Sequence, residues 1–216
     1  MEFKIENTEV YGIKKSIIAS GNAMRTTMDN NMMYFDDSDE KHIKHLKRAS
    51  KLGSTNVGEG HDNYLNGIVV QFDLYAPLYM WKQLQRYHFL DFISSQSTMH
   101  RLTKFNIREQ CVKDVDSFIL ERYQALLTMY DYMCKKDYGE IDEEQQRTLK
   151  ERKDKFWRTL VASLPCGFVL GATMTTNYRQ LKTIYLQRKN HKLKEWHQFC
   201  EWCEGLPHFK ELCLGE

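Results

Sequence analysis

Two blocks of the sequence, far apart along the chain, carry side chains suited to an anionic ligand. The first contributes imidazole, amide, guanidinium and hydroxyl groups, at His61, Gln83, Arg86, His88 and Ser97. The second contributes an amide and two guanidinium groups, at Asn177, Arg179 and Arg188. The guanidinium fork donates two aligned hydrogen bonds, which suits a phosphate or the carbonyl oxygens of a nucleobase.

Five of these residues also have a purely structural explanation. Gln83 and Arg86 are three residues apart and would share a helix face, either facing one ligand or forming part of a polar surface. Asn177 lies at a strand-to-helix junction, where an asparagine caps a helix. Arg188 lies near a helix end, where a cation interacts favourably with the dipole. A loop histidine such as His61 is most often simply solvated. Residue type and spacing leave both explanations open.

Composition narrows the class of protein. The chain has 216 residues, of which 42% are hydrophobic and 28% charged, which is typical of an ordered domain and predicts one domain over residues 1–216. A formal net charge of +2 argues against a nucleic-acid binder that works by phosphate neutralisation. The sequence shows neither the apolar core of a signal peptide nor a run long enough to span a membrane. We therefore expect a cytoplasmic protein with no membrane partner.

The cysteines do not predict a metal site. All six are scattered along the chain without secretory context, so we expect reduced thiols. His197, Cys200 and Cys203 form an HxxCxxC pattern, but a single CxxC without a second pair is weak support for zinc. On a helix rich in aromatic residues, these thiols are better explained as packing groups.

Local patterns predict a mixed α+β domain, with long helices around a small sheet. Strands are expected at residues 10–20, 68–74 and 168–176. Helices are expected at residues 42–52, from 76 onward, at 107–135, 142–163 and 177–187, and from about 191 to 204. The acidic run from Asp36 to Glu40 suits the positive end of the first helix.

The order of these pieces resembles the flavin-dependent thymidylate synthases. The family has a Gly-His before a strand, then a helix with a Gln that leads into Arg-His-Arg. Gly60–His61 and Gln83 match in spacing, and Arg86, Tyr87 and His88 stand at the Arg-His-Arg positions. Ser97 matches the serine of the family's Glu-x-Ser-x-Arg-Tyr.

The second block is similar to the family in the same way. Residues 177–181, Asn-Tyr-Arg-Gln-Leu, look like its Asn-x-Arg-x-Leu. Arg188 stands where the family has the arginine that contacts the uracil ring. His191 and Glu195 are similar to the His-Ala-Gln-Trp-Glu that follows.

The resemblance implies a homotetramer with flavin sites between subunits and reductive methylation of dUMP to dTMP. Reduced FAD, methylenetetrahydrofolate and NADPH would take part. Implied catalytic residues are Arg188 and Ser97, and implied substrate-binding residues are Gln83, Ser97 and Arg188. Implied cofactor-binding residues are His61, Arg86, His88, Asn177 and Arg179.

Two departures from the family pattern leave alternatives open. Met99 and Val161 stand where the family has arginines that help to bind the phosphate of the nucleotide, and neither can replace a bidentate cation. One alternative is a flavoenzyme of the same fold that acts on another pyrimidine nucleotide. The other is a non-catalytic homologue that retains only the fold and the assembly.

Overall fold

The structure, a computed structural model, describes residues 1–27 and 40–216. The predicted acidic run at Asp36 to Asp39 lies outside this part of the chain. The chain forms two compact units. Unit 1 comprises Met1–Phe3, Tyr75–Lys82 and Ser95–Gly171, and unit 2 comprises Lys4–Leu74, Gln83–Ser94 and Ala172–Glu216. The single domain over residues 1–216 stays a prediction.

Four strands form one sheet in the order β1-β2-β4-β3, comprising β1 (Lys4–Tyr11), β2 (Val69–Pro77), β3 (Asp91–Ser95) and β4 (Val169–Asn177). Along β2, buried residues alternate with partly exposed ones, as expected for a strand that has one covered face. The Tyr178 N–H donates to the Ile68 carbonyl, and the Leu78 N–H donates to the Phe168 carbonyl, so β2 and β4 run antiparallel.

The described helices are α1 (Ile13–Ala19), α2 (Glu40–Gly53), α3 (Leu78–Leu84), α4 (Thr98–Arg101), α5 (Ile107–Gln110), α6 (Ser117–Lys135), α7 (Glu143–Ala162), α8 (Tyr178–Arg188) and α9 (Lys194–Glu204). Short 3-10 helices occupy Asn22–Met24, Asn63–Gly67 and Leu102–Lys104, and a π-helical turn occupies Lys210–Leu214. The predicted α+β class is confirmed. No helix among the described residues is both long and apolar enough to cross a bilayer.

The strand predicted at residues 10–20 is wrong, because the strand ends at Tyr11 and α1 follows. Gly12 has φ +79°, a left-handed conformation that turns the chain out of the strand. A Cβ on Gly12 would lie 2.3 Å from the Gly67 carbonyl oxygen, so only glycine fits there. The Ser16 N–H then donates to the Gly12 carbonyl, and the β-branched residues that suggested a strand pack from a helix instead.

The single helix predicted at residues 107–135 is also wrong, because it divides into α5 and α6. Between them, Cys111 forms a β-bridge with Phe168, and the Val112 N–H donates to the Gly167 carbonyl at 2.9 Å. A new helix then starts at Ser117, after the capping residue Asp116, whose carboxylate accepts from the Phe118 N–H. Contacts with a distant segment thus interrupt a continuous helical pattern.

The core of unit 1 forms where α5, α6 and α7 pack, with Tyr123, Leu127, Leu160 and Phe168 buried together. The Tyr123 hydroxyl donates to the Leu160 carbonyl at 2.9 Å, so its polar end is satisfied.

In unit 2, α8 and α9 contribute fully buried aromatic residues, among them Tyr178, Trp196 and Phe199. Trp196 and Phe199 are in edge contact, with ring centroids 5.6 Å apart. This packing places the last turn of α8 beside α9.

Candidate active site

Arg188, in the last turn of α8, is held by neutral groups on several sides. Its Nε donates to the Tyr87 hydroxyl at 2.6 Å, and its Nη1 donates to Gln83 Oε1 at 3.3 Å. The guanidinium carbon lies 5.5 Å from the centre of the Tyr87 ring and 4.6 Å from that of Trp196. Two cation–π contacts and two hydrogen bonds therefore define the position of this side chain.

The partners of Arg188 are themselves fixed in orientation. Gln83 Oε1 also accepts from Trp196 Nε1 at 3.0 Å, and the Tyr87 hydroxyl donates to Gln187 Oε1 at 3.1 Å. None of the carboxylates in the described part of the chain pairs with Arg188. The partners of this half-buried guanidinium are neutral, so its positive charge is not neutralised within the described part of the chain. Such a group suits an anion or a strongly polar carbonyl as its ligand.

His191 lies beside this group. Its ring is in edge contact with Trp196, with centroids 6.1 Å apart, and its Nδ1 accepts from the Leu193 N–H at 3.1 Å. Burial lowers the pKa of His191, and the positive charges of Arg188 and His197 lower it further. A neutral ring whose Nδ1 is an acceptor carries its proton on Nε2, so this nitrogen is a donor.

A second polar cluster joins α8 to the loop that contains His61. Asp62 is fully buried, and its two oxygens accept from Arg179 Nε at 3.0 Å and from Lys182 Nζ at 3.2 Å. Lys182 is also buried, whereas the Arg179 side chain is 34% exposed. Two cations thus share one carboxylate, and one positive charge is left without a counter-ion in this cluster. Arg179 is the cation nearer the solvent.

Several predicted site residues lie at the surface. His61 is exposed and directly precedes Asp62. Arg86 and His88 are also exposed, in the turns that follow α3. The expectation that Gln83 and Arg86 share a helix face is wrong, because α3 ends at Leu84 and the Arg86 N–H donates to the Gln83 carbonyl in a turn.

Asn177 and Ser97 both cap helices. The Asn177 side-chain oxygen accepts from the Gln180 N–H at 2.9 Å at the start of α8. The Ser97 hydroxyl accepts from the His100 N–H at 3.2 Å at the start of α4. Ser97 belongs to unit 1, whereas Gln83, Arg188 and the cluster around Asp62 belong to unit 2.

Sequence reasoning did not identify Tyr87, Trp196, Asp62 and Lys182 as parts of these clusters. A weak signal existed for Lys182, a lysine placed between Leu181 and Ile184 on the apolar face of α8. The partners of these residues lie about a hundred positions away, and local spacing carries no information about them.

The thiols of the HxxCxxC pattern pack in the protein interior. Cys200 and Cys203 are buried, and burial raises the pKa of Cys200 to about 11. The His197 ring instead contacts the His191 carbonyl. Within residues 1–27 and 40–216, no cluster of three or more His, Cys, Asp or Glu side chains is placed to hold a metal ion.

No family model and no curated protein matches the sequence. Many solved structures match the fold, among them the following three. ThyX, a flavin-dependent thymidylate synthase from Helicobacter pylori, complexed with FAD and dUMP, has 15% identity and a TM-score of 0.59, over 98% of this chain and 97% of that chain. A second structure of the H. pylori enzyme with FAD and dUMP has 15% identity and a TM-score of 0.65, over the whole of both chains. PolB, a UMP/dUMP methylase from Streptomyces cacaoi bound with 5-Br dUMP, has 14% identity and a TM-score of 0.59, over 98% of this chain and 91% of that chain.

The chain therefore has the fold of the flavin-dependent thymidylate synthases along its whole length. This confirms, at the level of the fold, the resemblance seen in the sequence motifs.

Proposed function

We propose that the protein is a flavoenzyme that methylates dUMP to dTMP. The observation that carries the proposal is the Arg188 guanidinium, which contacts the Tyr87 and Trp196 rings and has no carboxylate partner among the described residues. Its position in the motif order is that of the uracil-contacting arginine implied by the resemblance. In this role, Arg188 would draw electron density towards the uracil carbonyls. Gln83 would orient the Arg188 side chain and contact the uracil ring.

The residues proposed to hold FAD are His61, Arg86, His88, Asn177 and Arg179. Arg179 suits a diphosphate, because Lys182 shares its only described counter-ion and leaves it incompletely neutralised. Asn177 uses its side-chain oxygen as a cap, so its amide nitrogen is the group that would donate to a ligand. When bound, reduced FAD would supply the hydride that converts the transferred one-carbon unit to a methyl group.

The co-substrates follow from the same chemistry. Methylenetetrahydrofolate would supply the carbon, and NADPH would return the flavin to its reduced form, so that electrons balance over the cycle. Ser97 keeps its proposed catalytic and substrate-binding role on the resemblance alone. We also propose a cytoplasmic location.

A pyrimidine nucleotide other than dUMP is the second candidate substrate. Met99 is 54% exposed and Val161 is partly buried, and neither offers a cation for a phosphate. Loss of both arginines changes the phosphate side of the proposed site, which is why a substrate other than dUMP is tested. One of the solved neighbours is a UMP/dUMP methylase, so UMP is the first alternative to test.

The decisive experiment is a titration of the purified protein with FAD, followed by dUMP and, separately, UMP. We expect a shift in flavin absorbance on FAD binding and a further change with the preferred nucleotide. Colourless protein that gives no spectral change with FAD would refute a flavin-dependent function. FAD binding without a response to either nucleotide would refute the uridylate part alone.

The proposed homotetramer has its own test. Light scattering at micromolar concentration should give about four times the chain mass of 25.8 kDa. A mass near 25.8 kDa would rule out flavin sites shared between subunits.

A further inference from the structure

Lys182 is a buried cation whose acceptors all come from one segment of the chain. Its Nζ lies 2.7 Å from the Gly53 carbonyl oxygen, 2.5 Å from the Thr55 carbonyl oxygen and 3.2 Å from Asp62 Oδ2. An ammonium group has three donors, so its hydrogen-bonding capacity is used completely. Burial of such a charge is costly unless it is paired in this way.

These acceptors bracket a loop. Gly53 is the last residue of α2, and its carbonyl is one of those that a helix end leaves without an intrahelical partner. Asp62 closes the loop at the other end. Between them, residues 56–59 are exposed, and Gly58 and Gly60 have positive φ angles. One side chain of α8 therefore ties both ends of the loop to the helix.

Asp62, one of the acceptors of Lys182, is also linked to two proposed cofactor-binding residues. His61 is exposed and adjacent to the buried Asp62, so the position of Asp62 sets where the imidazole emerges. Arg179 is held through its Nε by the other oxygen of Asp62 at 3.0 Å. Movement of Asp62 would therefore displace both groups together.

We infer that Asp62 and Lys182 are positioning residues that hold His61 and Arg179 in register for the flavin. The inference rests on the proposed function in naming flavin as the ligand. The tie between the loop and α8 is a separate physical statement, and it can be measured without any ligand.

The test compares Lys182→Met, which removes the ammonium and keeps most of the volume, with Lys189→Met, an exposed lysine next to the end of α8. A glutamate-specific protease should cleave after Glu59 about tenfold faster in Lys182→Met than in the unmutated protein, because the loop opens locally more often. Mass spectrometry of the fragment that ends at Glu59 measures this rate. Lys189→Met should behave as the unmutated protein.

Two further readouts separate positioning from stability. FAD affinity should fall about tenfold in Lys182→Met at a temperature where circular dichroism shows the variant folded. The NMR signal of the His61 ring, assigned with His61→Gln, should shift in Lys182→Met and stay unchanged in Lys189→Met. Unchanged cleavage, or unchanged FAD affinity in a protein that binds FAD, would overturn the inference.

A second variant tests the inference if Lys182→Met does not fold. Asp62→Asn combined with Lys182→Gln removes both charges together and keeps hydrogen-bonding groups at both positions, and it should show the same faster cleavage. Loss of folding in this variant as well would overturn the inference, because the pair would then support the core rather than the loop. If the unmutated protein does not bind FAD, the proposed function fails. The cleavage rate and the His61 signal still test whether Lys182 holds the loop to α8.

Discussion

A guanidinium in the last turn of a helix can serve the helix dipole or a ligand, and the contacts of Arg188 separate these roles. A cation that serves only the dipole needs no aromatic neighbours and no shared acceptor. The Tyr87 and Trp196 rings contact the Arg188 guanidinium and Gln83 accepts a hydrogen bond from it, and all three partners make further hydrogen bonds. This degree of orientation favours the ligand role.

Replacement of Arg188 by glutamine should weaken nucleotide binding by about 1.5–3 kcal/mol, the range for a hydrogen bond to a charged group. FAD binding should change little, because the residues proposed to hold the flavin are retained. Calorimetry with the preferred nucleotide measures the effect, and Lys189→Gln serves as a control with the same charge change. Equal nucleotide affinity in Arg188→Gln and the unmutated protein would contradict the proposed role.

His191 should titrate below the usual histidine value near 6.5, because burial and the charges of Arg188 and His197 disfavour its imidazolium form. The unfolded chain then takes up a proton before the folded one, so His191 should reduce stability as the pH falls below 6.5 and have no effect above it. NMR titration measures the pKa. Arg188→Gln should raise it towards 6.5, and an unchanged value would show that Arg188 does not act on this ring.

At the scale of elements, the predictable segments were those whose capping hydrogen bonds come from residues of the same segment. The helix predicted at residues 142–163 is observed as Glu143–Ala162, because Asp142 and Gln145 form a reciprocal capping box and apolar residues follow at helical spacing. The helix that begins after Asn177 is also observed, and the Asn177 side chain caps its start. The division between α5 and α6 could not be predicted, because the bonds that cause it go to Gly167 and Phe168.

The capping box of α7 gives a prediction about stability. Asp142→Ala removes the acceptor for the Gln145 N–H, and we expect a loss of about 0.5–2 kcal/mol in the free energy of unfolding. Glu140→Ala, an exposed carboxylate just before the helix, serves as the control and should have little effect. Urea denaturation followed by circular dichroism measures both variants. Equal loss in the two would show that charge, rather than the cap, is responsible.

At the scale of the whole molecule, burial sorts the thiols into two classes. Cys134 and Cys166 are exposed, whereas Cys111, Cys200, Cys203 and Cys213 are buried. Burial raises the pKa of Cys111 and of Cys200 to about 11, so both remain protonated at neutral pH. A protonated and inaccessible thiol reacts slowly, because the thiolate is the nucleophile.

Alkylation of the folded protein at pH 8 should therefore modify Cys134 and Cys166 first, and all six thiols should react in denaturant. Peptide mass spectrometry identifies the modified positions. Rapid modification of Cys203, the most deeply buried thiol of α9, would show that the packing of unit 2 is looser than described.

The sequence by itself determined the α+β class, the two inner strands, the helices with their own caps, and the motif order that pointed to the fold. The strands and the capped helices depend on residues within a few positions of each other, through backbone hydrogen bonds and alternating burial. Only the tertiary structure showed that Arg188 meets Gln83 and that Lys182 meets Asp62, pairs separated by 105 and 120 positions. Such contacts depend on how distant elements pack, so the surroundings of the site could not be predicted from spacing along the chain.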